Sequence, residues 1–215
     1  MTVRVGVMGP GGRMGRMLLE AITEGEASST LAAAVDRPGS SLVGTDLGQL
    51  LGAEVLGVRV TDHLSSIIGE IDVLIDFTLP EATLAHAQIC AEHDVPMVIG
   101  TTGLTPDQEE LLRQASKKTA IVYCANTSVG VTLLTQLVEQ VAAKLTTGWD
   151  IEILETHHHH KVDAPSGTAL ALGKAAARGR QVDLDSVADM VRKGQTGART
   201  AGDIGFAVLR GGDVA

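Results

Sequence analysis

The chain has 215 residues, 44% of them hydrophobic and 20% charged, an ordinary globular composition that excludes disorder and suffices for one large domain or two small ones. Seventeen Lys and Arg against 26 Asp and Glu give a net charge of -9, the wrong sign for holding nucleic acid through its phosphates, and four aromatics (Phe77, Tyr123, Trp149, Phe206) are too few for a base-stacking platform. No run approaches the roughly eighteen uninterrupted apolar residues of a membrane span, and the opening MTVRVGVMGPGG is broken by Arg4 and glycines where a signal peptide needs an apolar stretch, so a soluble cytoplasmic protein without membrane or nucleic-acid partners is expected.

From Val3 to about Asn126 short β-branched runs alternate with turns and stretches of helical period. Strands are expected at Val3 to Met8, Leu31 to Val35, Val73 to Phe77, Met97 to Ile99 and Ala120 to Tyr123. Most lack polar alternation, as strands covered by helices on both faces should. Helices are expected at Met14 to Glu24, at Pro80 to Glu92 with proline in its first turn, and at Pro106 to Lys117 behind Thr105 as cap. The order predicts a Rossmann-like α/β fold with a doubly wound parallel sheet over residues 1–127. Cys90 and Cys124 sit in apolar surroundings without metal-like spacing and read as buried free thiols.

After Asn126 the pattern changes. A helix over Val131 to Leu145 leads through Gly148 to a strand, Trp149 to Thr156, whose alternation implies a sheet with one wet face. A polar turn, a helix from Thr168 to about Ala177, a Gly-rich charged connection and a strand from Ile204 to Leu209 complete a second, α+β domain over 128–215. Residues 1–127 hold 8 basic and 16 acidic side chains, residues 128–215 hold 9 and 10, so an anionic small molecule meets less repulsion in the second half.

The first strand runs directly into Gly9-Pro10-Gly11-Gly12-Arg13-Met14-Gly15 and a helix, the context in which a glycine turn brings backbone N–H groups to a pyrophosphate at a helix N-terminus. The spacing is GxxGxxG, with Met14 where the strict dinucleotide pattern has glycine. The next strand ends at Asp36, suited to accept hydrogen bonds from the adenosine ribose, and Arg37 follows, suited to pair with a 2′-phosphate; together they suggest that NADH and NADPH are both accepted. Gly100-Thr101-Thr102-Gly103, after another strand, offers close backbone approach and hydroxyl donors toward the nicotinamide end, though the same residues also suit an ordinary turn.

Four consecutive histidines, His157 to His160, precede Lys161-Val162-Asp163-Ala164-Pro165-Ser166-Gly167-Thr168. Adjacent residues of an extended chain point to opposite faces and no acidic or cysteine partner has ligand spacing, so no metal is expected. Pro165 to Thr168 opens a helix whose free N–H groups, beside Lys161 and the histidines, make a carboxylate-binding pocket with proton donors at hand.

The string His157-His158, Lys161, Asp163 and Pro165-Ser166-Gly167-Thr168, with Gly9 to Gly15 and Gly100 to Gly103, closely resembles the dihydrodipicolinate reductase family of the diaminopimelate route to lysine, over essentially the whole chain. The resemblance implies that NADH or NADPH binds Gly9, Pro10, Gly11, Gly12, Arg13, Met14, Asp36, Arg37, Gly100, Thr101, Thr102 and the segment Cys124, Ala125, Asn126, Thr127. It casts His157 as the catalytic proton donor or acceptor, Lys161 as a second proton donor, and His158, Gly167 and Thr168 as binders of a small anionic dicarboxylate. It also implies a homotetramer, domain closure about hinges near Thr127 and in the C-terminal connection, and a second domain that continues past the position of Ala215, so that 128–215 reads as a substrate-binding and oligomerisation domain short at its C-terminus.

Two other readings stand beside this one: a nicotinamide-nucleotide-binding protein with little or no turnover, and a short-chain dehydrogenase. The second needs a YxxxK pair, and the single tyrosine, Tyr123, has Thr127 four positions on.

Overall fold

The computed structural model describes residues 2–25, 28–124, 126–146 and 148–214. They divide into two units, Met1–Ala125 and Asn126–Ala215.

The first unit is built on six parallel strands: β1 (Val3–Met8), β2 (Ser29–Val35), β3 (Val60–Thr61), β4 (Val73–Asp76), β5 (Met97–Ile99) and β6 (Ile121–Tyr123), in the spatial order β3-β2-β1-β4-β5-β6. The order reverses direction between β1 and β4, where a doubly wound sheet opens a crevice at the carboxyl ends of its strands. Helices α1 (Arg13–Glu24), α2 (Leu47–Leu51), α3 (Pro80–Glu92) and α4 (Pro106–Ala115) cover both faces. One core layer holds Val5, Val7, Leu19, Ala34 and Leu47, the other Met8, Val35, Leu74, Cys90, Met97 and Ile99. Alternate residues of each strand thus meet an apolar layer, which is why the strands read as continuous apolar runs. A bulge shifts the β1–β2 register between Val5 and Gly6, placing Leu31 and Ala34 in the same layer.

The helices begin where their caps direct. Thr105 and Gln108 form a reciprocal capping box at α4. The short α2 lies in a stretch without legible periodicity and owes its place to buried Asp46, whose carboxylate accepts N–H bonds from Gly48, Leu56 and Gly57 and is held below the usual carboxylate range by them, the Leu56 bond first.

The second unit carries α5 (Val129–Lys144), β7 (Ile151–His157), α6 (Gly167–Arg180), α7 (Leu184–Val187), β8 (Ala188–Asp189) and β9 (Ile204–Arg210). Its sheet has the order β7-β9-β8 with every pair parallel. Helices α5 and α6 pack on it through small residues, Ala142, Ala169, Ala176 and Ala177, against Ile204 and Phe206. The opposite face of β7 and β9 leaves Leu154 and Leu209 exposed. Helix α6 runs three residues beyond the expected Ala177, because Gly179 lets it lie against the backbone of α5 at Glu139 and the left-handed residue Gln181 then closes it.

Candidate active site

In the first unit the glycine turn sits at the carboxyl end of β1. Gly9 adopts a positive φ of 64° and its N–H reaches the Val35 carbonyl at 2.8 Å, tying the turn to β2. A β-carbon at Gly15 would collide with the Gly9 carbonyl, so the third glycine of this GxxGxxG spacing performs the close helix–strand packing that the strict pattern assigns one place earlier. Helix α1 starts at Gly12 without a side-chain cap and without an acidic residue in its first turn, and Gly11 to Met14 are exposed.

Beside the turn lies a cleft of about 850 Å³ whose lining includes Gly9, Asp36, Arg37, His63, Thr78 and His86. Asp36 is oriented by the Arg37 N–H at 2.9 Å and the Ser40 hydroxyl at 2.6 Å. The uncapped helix start, the glycine whose β-carbon would fill the turn, and a carboxylate at the end of β2 together fit the pyrophosphate and ribose of a dinucleotide. Reasoning from sequence missed the wall made by His63 and His86, since the short strand and turns that place His63 carry no periodic signal.

The turns after β4 and β5 are locked to each other. Gly100 N–H donates to the Asp76 carbonyl at 2.9 Å, and the Phe77 ring occupies the space a Gly100 side chain would need. Thr101 departs from expectation: its hydroxyl accepts the Thr78 N–H at 3.1 Å and pairs with Thr83 Oγ1 at 2.7 Å, and the residue is buried, so its hydroxyl is engaged within the fold. The exposed neighbour Thr102 keeps the outward position. At the end of β6, Cys124 N–H donates to Ile99 at 3.0 Å. Ala125 lies outside the described residues, while Asn126, which accepts the Ser128 N–H at 2.9 Å, and exposed Thr127 belong to the second unit.

In the second unit the period of two along β7 puts Ile151, Ile153, Glu155 and His157 on the helix-facing side. The two apolar members enter the core, Glu155 reaches the start of α6, and His157 pairs with Glu155. His157 Nδ1 lies 2.5 Å from Glu155 Oε2. The other Glu155 oxygen accepts the Ser166 N–H at 2.9 Å, and Ser166 in turn caps α6 through Ala169 N–H. Arg210, opposite His157 in the β7–β9 register, clamps Glu155 with two bonds of 2.8 and 2.9 Å and donates to the Asp163 carbonyl at 2.6 Å. The Arg210 guanidinium, ahead of burial acting in the opposite sense and the His157 bond, holds the Glu155 carboxyl at about 2.

Lys161, with 19% of its side chain exposed, donates to Asp163 at 2.6 Å. Burial opposes the Asp163 charge, yet the Lys161 bond keeps that carboxyl below its usual range. His158 accepts the His160 N–H through Nδ1 at 3.1 Å. Among the described residues nothing accepts from the N–H groups of Gly167 and Thr168, and no group of three His, Cys, Asp or Glu is placed to hold a metal. His157, Lys161 and the two N–H groups are therefore gathered by one chain of contacts through Glu155, Arg210 and Asp163. Sequence reasoning missed Arg210 and gave Glu155 no role. The Glu-x-His spacing on a single strand face is the signal for Glu155; Arg210 becomes visible only through the β7–β9 register.

A nucleotide-type sheet with a glycine turn, followed by a unit that gathers imidazole, ammonium and helix N–H groups, defines the class of two-part pyridine-nucleotide oxidoreductases. Sequence models described as dihydrodipicolinate reductase, N-terminus and C-terminus, match residues 3–127 and 130–215. The 4-hydroxy-tetrahydrodipicolinate reductase of Psychrobacter arcticus is 50% identical over 212 residues, covering 99% of this chain and 76% of that protein. That of Ruegeria pomeroyi is 50% identical over 208 residues, covering 97% and 77%. Among solved structures, the dipicolinate-bound dihydrodipicolinate reductase from Paenisporosarcina sp. TG-14 superposes with a TM-score of 0.69 at 26% identity, covering 98% of this chain and 79% of that one. The chain belongs to the dihydrodipicolinate reductase family. Matches to both family halves favour the reductase over a binding protein without turnover.

Proposed function

We propose that the chain catalyses the NADH- or NADPH-dependent reduction of 4-hydroxy-tetrahydrodipicolinate to tetrahydrodipicolinate. The observation that carries the reading is the gathering of His157, Lys161 and the open N–H groups of Gly167 and Thr168 at one end of the second unit. Loss of the ring hydroxyl together with a neighbouring ring hydrogen releases one water and leaves a conjugated cyclic imine, whose reduction then consumes one hydride and one proton. The bound reduced nicotinamide supplies the hydride.

The chain's own residues do the rest. Gly9 to Met14 and Gly100 to Thr102 hold the dinucleotide through backbone groups, with Asp36 on the ribose and Arg37 beside a 2′-phosphate when one is present. The N–H groups of Gly167 and Thr168, with His158, hold the substrate carboxylates. Lys161 exchanges its Asp163 partner for a substrate carboxylate or ring nitrogen, and His157 donates the balancing proton, the two dividing the work of charge neutralisation and general acid.

The test is an assay in which the substrate is generated enzymatically and nicotinamide absorbance is followed. Oxidation that depends on the dicarboxylate supports the reading; cofactor binding with no such oxidation overturns it. The reading also carries self-association to a tetramer through the uncovered sheet face bearing Leu154 and Leu209, for which light scattering of the wild-type and of Leu154→Glu is the measurement.

A further inference from the structure

Glu155 is the most heavily used carboxylate of the second unit. Its side chain is 10% exposed and receives the His157 imidazole, the Ser166 N–H and both terminal nitrogens of Arg210. A carboxylate this enclosed is costly to maintain unless every lone pair is occupied, and here every contact leads to a part of the reacting site. Ser166 begins the helix that presents Gly167 and Thr168, and Arg210 fastens the Asp163 carbonyl and with it the turn bearing Lys161.

We propose that Glu155 is the positioning residue of the proton donor: its carboxylate accepts a hydrogen bond from Nδ1–H of His157, so that Nε2 alone exchanges a proton with the substrate, and it ties that imidazole to the first turn of α6. The inference rests on the reductase reading for its catalytic consequence, and on geometry alone for the tautomer. An acidic partner on one imidazole nitrogen fixes the tautomer by occupying that N–H, which leaves the other nitrogen as the exchanging atom. With Glu155 held near 2, its carboxylate stays ionised throughout the neutral range and serves as acceptor in every turnover.

Arg210 has a distinct part. Next to His157 stand Glu155 from its own strand and Arg210, opposite it on β9; Arg210 also holds the Asp163 carbonyl, and Asp163 pairs with Lys161. The Arg210 guanidinium keeps Glu155 ionised and fixed in place, so the carboxylate presents the same acceptor to Nδ1–H in every cycle. In each cycle doubly protonated His157 gives the Nε2 proton to the ring atom made electron-rich by hydride addition. It keeps Nδ1–H on Glu155 and regains the other proton from water.

Glu155→Gln and Glu155→Asp are compared with wild type in three readouts. Nitrogen NMR of isotopically labelled histidine, with His157→Ala to assign the signal, is expected to show a single Nδ1–H tautomer in wild type and a mixture in Glu155→Gln. In the coupled assay kcat of Glu155→Gln is expected to fall by about 100-fold, the scale of losing a correctly protonated general acid, while the Kd for NADH from fluorescence titration stays unchanged; Glu155→Asp is expected to recover a large part of kcat. An unchanged tautomer in folded Glu155→Gln overturns the proposal, as does unchanged kcat, or a loss of NADH binding and kcat in parallel with lowered thermal stability. Should wild type show no substrate-dependent oxidation, the reductase reading fails while the NMR comparison still decides the placement of the Nδ1 proton.

Discussion

Each unit contains a carboxylate–histidine pair, and the two are put to opposite uses. In the first, Asp76 is completely buried at the end of β4, with His86 Nδ1 at 2.7 Å and the Thr78 N–H and hydroxyl at 2.8 and 2.6 Å. In the second, Glu155 meets His157 at 2.5 Å, but its remaining capacity goes to a guanidinium and a helix cap. His86 is 17% exposed and sits in a helix; His157 is 29% exposed at the open end of a strand. The first pair joins turns that must keep a fixed spacing, since Thr78 and Thr83 both meet Thr101 from the next strand end. The second leaves one imidazole face available. On the proposed reading, what separates the two pairs is therefore the company of the carboxylate and the exposure of the ring, not the pair itself.

The contrast is broken most strongly by removing the second histidine. His157→Ala is expected to lower kcat by about 100- to 10,000-fold, the range for a lost general acid, with NADH affinity from fluorescence titration unchanged; undiminished turnover would take the imidazole out of the reaction. Asp76→Ala acts in the other direction. It strands the His86 imidazole and the Thr78 N–H in a buried site, at a cost of about 2–4 kcal/mol, and is expected to lower the thermal midpoint of the first unit in calorimetry. In that variant kcat and cofactor affinity fall together, unlike in His157→Ala.

A pH series separates the pairs further. The Glu155 carboxyl stands at about 2 in the folded chain against an ordinary 4.5, mainly through Arg210. Its folded value is depressed, so its contribution to stability is complete above pH 4.5 and is lost as pH falls from there toward 2. Arg210→Leu removes the principal cause of the depression. Acid unfolding of the second unit, followed by near-ultraviolet circular dichroism through Trp149, is then expected to begin at higher pH than in wild type.

Much of this was legible in the sequence, for reasons that differ by region. The strands at Val3, Val73, Met97 and Ile204 announced themselves because burial on both faces, or strict alternation on one, leaves a periodic trace. The glycine turn, Asp36 and the His157 to Thr168 string were visible because helix starts and strand ends constrain residue type locally. The elements α2, β3, α7 and β8 left no trace: each is five residues or fewer and is held by contacts distant in sequence, such as Asp46 with Leu56 and Gly57. The same reason hid the inward turn of Thr101, since its partners Thr78 and Thr83 come from another strand end, and hid Arg210, whose meeting with Glu155 is made 55 positions away by strand register. Local chemistry can be read along a chain; the acceptor that a distant N–H selects cannot.

The smallest expected effect concerns the edge of the cleft, where Asp36 and Arg37 stand next to each other with different duties. The Asp36 carboxylate is held by Ser40 and the Arg37 N–H, whereas Arg37 itself lines the cleft. A 2′-phosphate adds charge that only a cation can match, and a charge-assisted hydrogen bond contributes about 1.5–3 kcal/mol. Arg37→Ala is therefore expected to raise KM for NADPH by about 10-fold or more, each 1.4 kcal/mol being a factor of ten, and to leave KM for NADH nearly unchanged. Equal losses for both nucleotides would show that the guanidinium packs against a moiety common to both, such as the adenine face, and that phosphate discrimination lies elsewhere along the cleft.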